Sequence, residues 1–339
     1  MKNVIHFLVV NYVILLIVSC SEASSEFSNT NDQVKKIRFE MIQPSLDSLF
    51  EETSLTRSAI YGSGISFNFG FTKGDTVGIF PENGYQIAFK LNVPAGEILT
   101  TTSIIAEGWM TKKNKLYSCY LPFNYDNKQS NRIPWDLRKI QVQNGNDSKD
   151  SMCNYAIYGS DTVRTTDTLF DTKVYYMGSM VAIHIAAPVT ASYTKAVMAL
   201  SKKGFASYGY FDLFDVSAPK ESPTNIISTP YLHQPFHAEG YTDHISLKLL
   251  NFVVSSGSQM WFWFIVPETD AVGDDITVYF WDNKGNCYTS TRAVKSPFKR
   301  NHISSLSFPD ATLATTPYTN LNPWEEDKDT CSTCYPVAF

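Results

Sequence analysis

The chain of 339 residues reads as an all-β protein of two β-sandwich domains in tandem. Three observations predict this. Aromatic residues make up 14% of the chain, with 19 Tyr and 22 Phe, and these side chains favour half-buried pleated surfaces. Apolar and polar residues alternate with period two in segment after segment. Turn residues separate those segments at short intervals, and no amphipathic helix longer than about two turns can be drawn. The length suits two domains at about 150 residues each.

The first segment is not part of that fold. Lys2 precedes an apolar run from Val4 to Val18, the pattern of a secretory signal. The run stops at Ser19-Cys20, and polar residues follow. An apolar run, a small residue and one Cys resemble a bacterial lipobox, with Cys20 as the acylated mature N-terminus. An ordinary signal peptide with an incidental Cys is the plainer alternative. Two or three acyl chains on one Cys would hold the chain to a membrane. Residues 21 to about 56 are polar and poorly periodic, and read as a linker or a labile first strand.

Strands then follow in order. Ile65-Ser66-Phe67-Asn68-Phe69-Gly70-Phe71 places four apolar side chains on one face. After Lys73-Gly74-Asp75, the segment Thr76–Phe80 is a second strand. Pro81-Glu82-Asn83-Gly84 is a turn, because Asn and Gly both accept positive φ, and Tyr85–Leu91 returns. Later strands are Val174–Met177, Met180–Ile185, Tyr193–Leu200, Ile245–Leu249, Trp261–Val266 and Ile276–Trp281. Asp282-Asn283-Lys284-Gly285 closes a hairpin onto Asn286–Ser290. Pro188 ends one alternating run just before the next begins, so a domain boundary is expected near Ala187–Thr190. The tail after Phe308 is expected to be extended.

Composition narrows the function. Charged residues are 18% and hydrophobic residues 43%, which excludes a mostly disordered chain. The net charge of −5 offers no basic excess for nucleic acid. Beyond the N-terminus no apolar run reaches the roughly 18 residues of a membrane helix.

Motifs for chemistry are sparse. No phosphate-binding Gly loop, nucleophile elbow or paired-His zinc helix occurs. Pro235 between His233 and His237 breaks a regular helical face, so that pair does not read as a metal site. His184 alternates within an apolar strand and reads as a sheet residue. Asp274-Asp275 reads as a turn feeding a strand. Cys119, Cys153, Cys287, Cys331 and Cys334 are odd in number, so one thiol stays unpaired if every bridge is internal. Cys331 and Cys334 read as a local disulfide or as free thiols. Trp135, Trp261, Trp263 and Trp281 are candidate stacking platforms for a glycan, although Trp261 and Trp263 share one strand face with Ile265, as core residues do. Asn146-Asp147-Ser148 matches a glycosylation sequon. No catalytic or metal site can be assembled, and no cofactor is implied.

Four segments resemble the fimbrillins of the Bacteroidetes, the FimA-like and Mfa-like fimbrial subunits. They are Phe69–Phe80 with its central Gly74-Asp75; Tyr117–Asp126 running on to Ile133-Pro134, with Gln141–Asn146 and Asn154–Ile157 beyond; Ala196–Ser201 followed by Phe205–Leu213; and Phe264–Pro267 leading to Asp282–Gly285. Together they span about residues 56–308. The resemblance implies two transthyretin-like Greek-key sandwiches, divided as residues 58–189 and 190–339. A signal (residues 1–19) and a lipidated pro-segment (residues 20–57) would precede them.

By the same resemblance, a surface protease cuts after an Arg near the N-terminus. Loss of the first strand then opens a groove that a strand of the next subunit fills. Thr53-Ser54-Leu55-Thr56-Arg57-Ser58 suits the cut, between Arg57 and Ser58, with Arg38 as the second candidate. The expected partners are other fimbrial subunits and, before the cut, the outer membrane. A surface ligand is a further candidate partner. In the family the donor strand comes from the C-terminal end of the neighbour. Here Pro317 interrupts the tail, which leaves stalk, tip, adaptor and anchor positions open. A monomeric outer-membrane lipoprotein that binds glycan is the rival expectation.

Overall fold

The computed structural model describes residues 36–47, 69–105, 116–138, 140–146, 155–160, 163–164, 169–215 and 236–315. No α-helix occurs among them. In chain order the strands begin with β1 (Lys36–Met41), β2 (Ser45–Asp47), β3 (Thr76–Pro81), β4 (Ile87–Lys90), β5 (Thr101–Ile105), β6 (Leu116–Leu121) and β7 (Ile133–Asp136). They continue as β8 (Gln141–Asn144), β9 (Tyr158–Ser160), β10 (Val163–Arg164), β11 (Leu169–Tyr176), β12 (Ser179–Ala186), β13 (Ala191–Leu200) and β14 (Phe205–Phe211). The last seven are β15 (Phe236–Thr242), β16 (His244–Val254), β17 (Gln259–Val266), β18 (Asp275–Asp282), β19 (Cys287–Ala293), β20 (His302–Ser307) and β21 (Thr312–Leu313).

They form four sheets. The first has the order β4-β3-β6-β9-β11-β1-β5, with β10 also on β6. The second is β17-β12-β20-β2, the third β21-β19-β18-β13-β16-β8, and the fourth β15-β14-β7. Strands on both sides of residues 187–190 share these sheets. β12 pairs with β17 and β20, β8 pairs with β16, and β7 pairs with β14. Pro134 is tolerated in β7 because β7 lies at a sheet edge.

The alternation in the sequence becomes the two faces of these strands. In β18, Ile276, Val278 and Phe280 are buried while Thr277, Tyr279 and Trp281 face outward and stay half-buried. β17 has no outward face, and every residue from Met260 to Val266 is buried. That agrees with its unbroken apolar run. The second and third sheets pack face to face through aromatic rings. Phe262 on β17 lies 5.6 Å from Phe252 on β16 and 5.4 Å from Phe280 on β18. The Asn83 turn has φ near 60°, as its sequence required, and the Gly84 N–H donates to the Pro81 carbonyl. The expected strand at residues 65–71 lies partly outside the described residues. Within them, only Phe71 pairs, through one bridge to Leu99.

A seam of side-chain amides joins the second and third sheets. Gln141 donates Nε2–H to the Ile265 carbonyl (2.7 Å) and accepts from the Ile265 N–H (2.9 Å). Gln143 donates to the Trp261 carbonyl (2.9 Å) and accepts from the Trp263 N–H (3.1 Å). Asn146 donates to the Gln259 carbonyl and accepts from the Trp261 N–H. A side-chain amide carries the same donor and acceptor as a peptide group. Gln141 and Gln143 are spaced by two on β8, as Ile265 and Trp263 are on β17. The edge of β17 is thereby satisfied without a neighbouring strand, which removes a template for unwanted strand pairing.

Candidate functional site

The first strand is the segment around which the sequence-derived sites converge, with Cys20 before it, Arg38 within it and Arg57 after it. β1 lies inside the first sheet, parallel to β11 and antiparallel to β5. Ile37, Phe39 and Met41 alternate along it and are at most 4% exposed. Phe39 meets Phe71 edge to face at 6.4 Å. Burial of three such side chains contributes roughly 5–9 kcal/mol as an upper estimate.

The opposite face of β1 is polar. Arg38 pairs with Asp171 on β11 at 3.3 Å and, more loosely, with Glu40 at 3.9 Å. These exposed pairs contribute little to stability, and their use is to keep that face in water. Beyond β1 the Ile42 N–H donates to the Val174 carbonyl, and the Met41 N–H to the Thr100 carbonyl.

Gln43 then turns the chain. Its Nε2 donates to the Phe69 carbonyl (2.8 Å) and its Oε1 accepts from the Phe69 N–H (2.7 Å), the same device as in the β8 seam. The Gln43 carbonyl accepts from Asn301 Nδ2 (3.2 Å), and Asn301 Oδ1 accepts from the Tyr176 N–H (3.3 Å). Asn301 has φ near 53°, a left-handed conformation in which Asn is among the better-tolerated non-glycine residues. β2 next runs parallel to β20, at the edge of the second sheet. One short stretch, residues 36–47, therefore completes one sheet from within and covers the edge of another.

The sequence-derived sites fall unevenly on this frame. Cys20, Arg57 and Ser58 lie outside the described residues, as do Cys153, His233, Cys331 and Cys334. Arg38, the second candidate for a cut, sits in the middle of β1, backbone-paired on both sides. A protease needs an extended, unpaired backbone, so the folded chain does not present that bond.

Three of the four tryptophan platforms are closed, while Trp281 is half-buried with Lys195 Nζ 5.6 Å from its ring centre. Trp135 is 6% exposed and donates Nε1–H to the Tyr155 carbonyl, against Phe211 and Phe236. Trp261 (7%) stacks on His184 and on Trp263 (1%). His184 Nδ1 accepts from Gln259 Nε2 (2.6 Å). Burial, with the positive Arg292 as a lesser cause, lowers its pKa to about 4.

Asp274 is a turn residue. Burial alone would raise its pKa, but hydrogen bonds from the Ser201 hydroxyl and from the Lys203, Lys202 and Asp275 N–H groups outweigh that and hold it at about 2. Asn146 of the sequon has its side chain engaged in the seam. Cys119 and Cys287 are buried, and burial pushes the Cys119 pKa up to about 12. No group of three or more His, Cys, Asp or Glu able to hold a metal occurs among the described residues.

The first strand was one of two readings of a polar, poorly periodic segment, a linker or a labile first strand, and Ile37, Phe39 and Met41 alternate within it. The second strand is three residues long and carries no periodic signal of its own.

Among solved structures the chain resembles a candidate cell adhesion protein of Bacteroides ovatus, with 13% identity, 83% of this chain and 95% of that one covered, and a TM-score of 0.45. A candidate cell adhesion protein of Bacteroides uniformis gives 12% identity, coverage of 72% and 93%, and a TM-score of 0.44. A fimbrial protein of Bacteroides ovatus gives 10% identity, coverage of 83% and 49%, and a TM-score of 0.33. No family model and no curated protein matches the sequence.

Proposed function

We propose that the chain is a structural subunit of bacterial surface fimbriae, exported as a lipoprotein and polymerised by strand exchange. The observation that carries this reading is the position of β1. It is an interior strand, yet it belongs to a segment that one cut at Arg57 would sever from the rest of the chain. Loss of residues 20–57 would leave β5 and β11 as facing unpaired edges, with a slot lined for apolar side chains at three alternating positions. That slot is built for β-augmentation, in which main-chain hydrogen bonds supply affinity and alternate pockets supply specificity. Acylation at Cys20 would hold the unprocessed subunit at the outer membrane, and the cut would release it into the growing fimbrium.

The test is the mature N-terminus and the polymer together. Surface material from cells making the wild-type chain should begin at Ser58 and run as an SDS-resistant ladder. The Arg57→Ala chain should keep an acylated Cys20 and form no ladder. A ladder of undiminished intensity from Arg57→Ala overturns the reading.

A further inference from the structure

The fourth sheet carries a feature that strand exchange does not use. Its outer face, with the loop of residues 124–132, encloses an open cleft of about 440 Å³. That is within the range of about 300–1,000 Å³ typical of small-molecule sites. Tyr208 and Tyr210 on β14 form its floor and are half-buried. The Arg138 guanidinium lies 4.2 Å above the Tyr208 ring, and that of Arg132 lies 4.6 Å above the Tyr210 ring. His237 stacks on Tyr210 at 4.9 Å, nearly parallel.

Each guanidinium is also held by a carboxylate. Arg138 donates from Nε and Nη2 to the two oxygens of Asp136, at 2.9 and 2.6 Å. Arg132 donates from Nη2 to Glu239 on β15 at 2.5 Å. Both arginine side chains remain more than half exposed.

This arrangement has three chemical consequences. The two arginines are fixed by stacking and by ion pairing, so little side-chain entropy remains to be lost on binding. A guanidinium has five N–H donors and a carboxylate about four acceptor positions, so donors and acceptors stand side by side on the cleft wall. The charges cancel in pairs, which gives no net attraction for phosphate or sulfate. Asn124, Asp126, Lys128 and Gln129 continue the same chemistry around the rim, while Pro134, Trp135 and the two tyrosines supply its apolar surface. Adjacent hydroxyls that both donate and accept match such a wall.

We infer that the cleft over β7 and β14 is a binding site for a short neutral oligosaccharide, with Arg132, Arg138, Asp136 and Glu239 as its hydrogen-bonding wall. Trp135, itself buried, is among the residues that line the cleft, whereas Trp261, Trp263 and Trp281 are not. It does not depend on polymerisation.

Affinity electrophoresis of the purified full chain in gels containing α-mannan, galactomannan or xylan tests it, with heparin as the anionic comparison. At least one neutral polysaccharide should retard the chain. The Arg132→Ala/Glu239→Ala double variant should raise the apparent Kd at least tenfold. Asp126→Ala, on the exposed rim, should raise it several-fold with an unchanged melting temperature, which keeps the test decisive if the double variant folds poorly. Retardation by none of the three, retardation by heparin alone, or unchanged affinity in Asp126→Ala together with a well-folded double variant overturns the assignment.

Discussion

The β1 groove and the β8 seam solve the same problem by different means. Each must satisfy an open sheet edge. The first does it with a main-chain strand inserted between β11 and β5. The second does it with the side chains of Gln141, Gln143 and Asn146 laid along β17. A main-chain strand brings apolar side chains with it, so it adds burial as well as hydrogen bonds. Side-chain amides add only the hydrogen bonds, but they cannot be pulled out without unfolding the sandwich. The first solution suits an edge that changes partner, the second an edge that must never do so.

Substitutions at the two edges should separate these solutions. The largest effect is expected at Phe39, whose truncation to Ala removes a fully buried ring from the groove. A loss of about 3–5 kcal/mol follows from comparable core truncations and is read from urea unfolding. Gln143→Leu comes next. It keeps the volume but leaves the Trp261 carbonyl and the Trp263 N–H unsatisfied, at about 1–3 kcal/mol for each buried group. If Gln143→Leu instead costs under about 0.5 kcal/mol, the seam is not what closes β17.

A smaller effect is expected from pH. The Asp274 carboxyl is held below its ordinary value, so its contribution is present above about pH 4 and is lost as pH falls towards about 2. Asp274→Asn should flatten that acid limb in melting curves. His184 titrates lower when folded than its ordinary value of 6.5, so stability should decline as pH falls from about 6.5 to about 4. His184→Gln should remove that slope. Smallest of all is Leu313→Ala on the two-residue β21, which is 63% exposed and should shift stability by under about 0.5 kcal/mol.

Most strands were legible because alternation and turn chemistry are local. Thr76–Phe80, Tyr193–Leu200 and Ile276–Trp281 all lie within observed strands, and Asp282–Gly285 is the hairpin turn its residues demand. Trp261 and Trp263 could be ranked as core residues from their shared strand face. What stayed hidden depends on distant partners. Gln141 and Gln143 look like ordinary polar positions until β17, more than 115 residues on, is laid beside them. The Arg132–Tyr210 and Arg138–Tyr208 pairs draw on β7 and β14, far apart in sequence and adjacent only in the sheet. Residues 36–47 were half legible, as a linker or a labile first strand, and only β5 and β11 decide between the two.

The placement of that first segment also sets a clock. Arg38 and Asp171 are 133 residues apart, and Gln43 and Asn301 are 258 apart. Closing loops of that length is slow relative to forming local hairpins, because chain entropy must be lost before the contacts reward it. Docking of that stretch therefore depends on contacts made across much of the chain. Until it docks, the edges of β11 and β5 that face it stay unpaired.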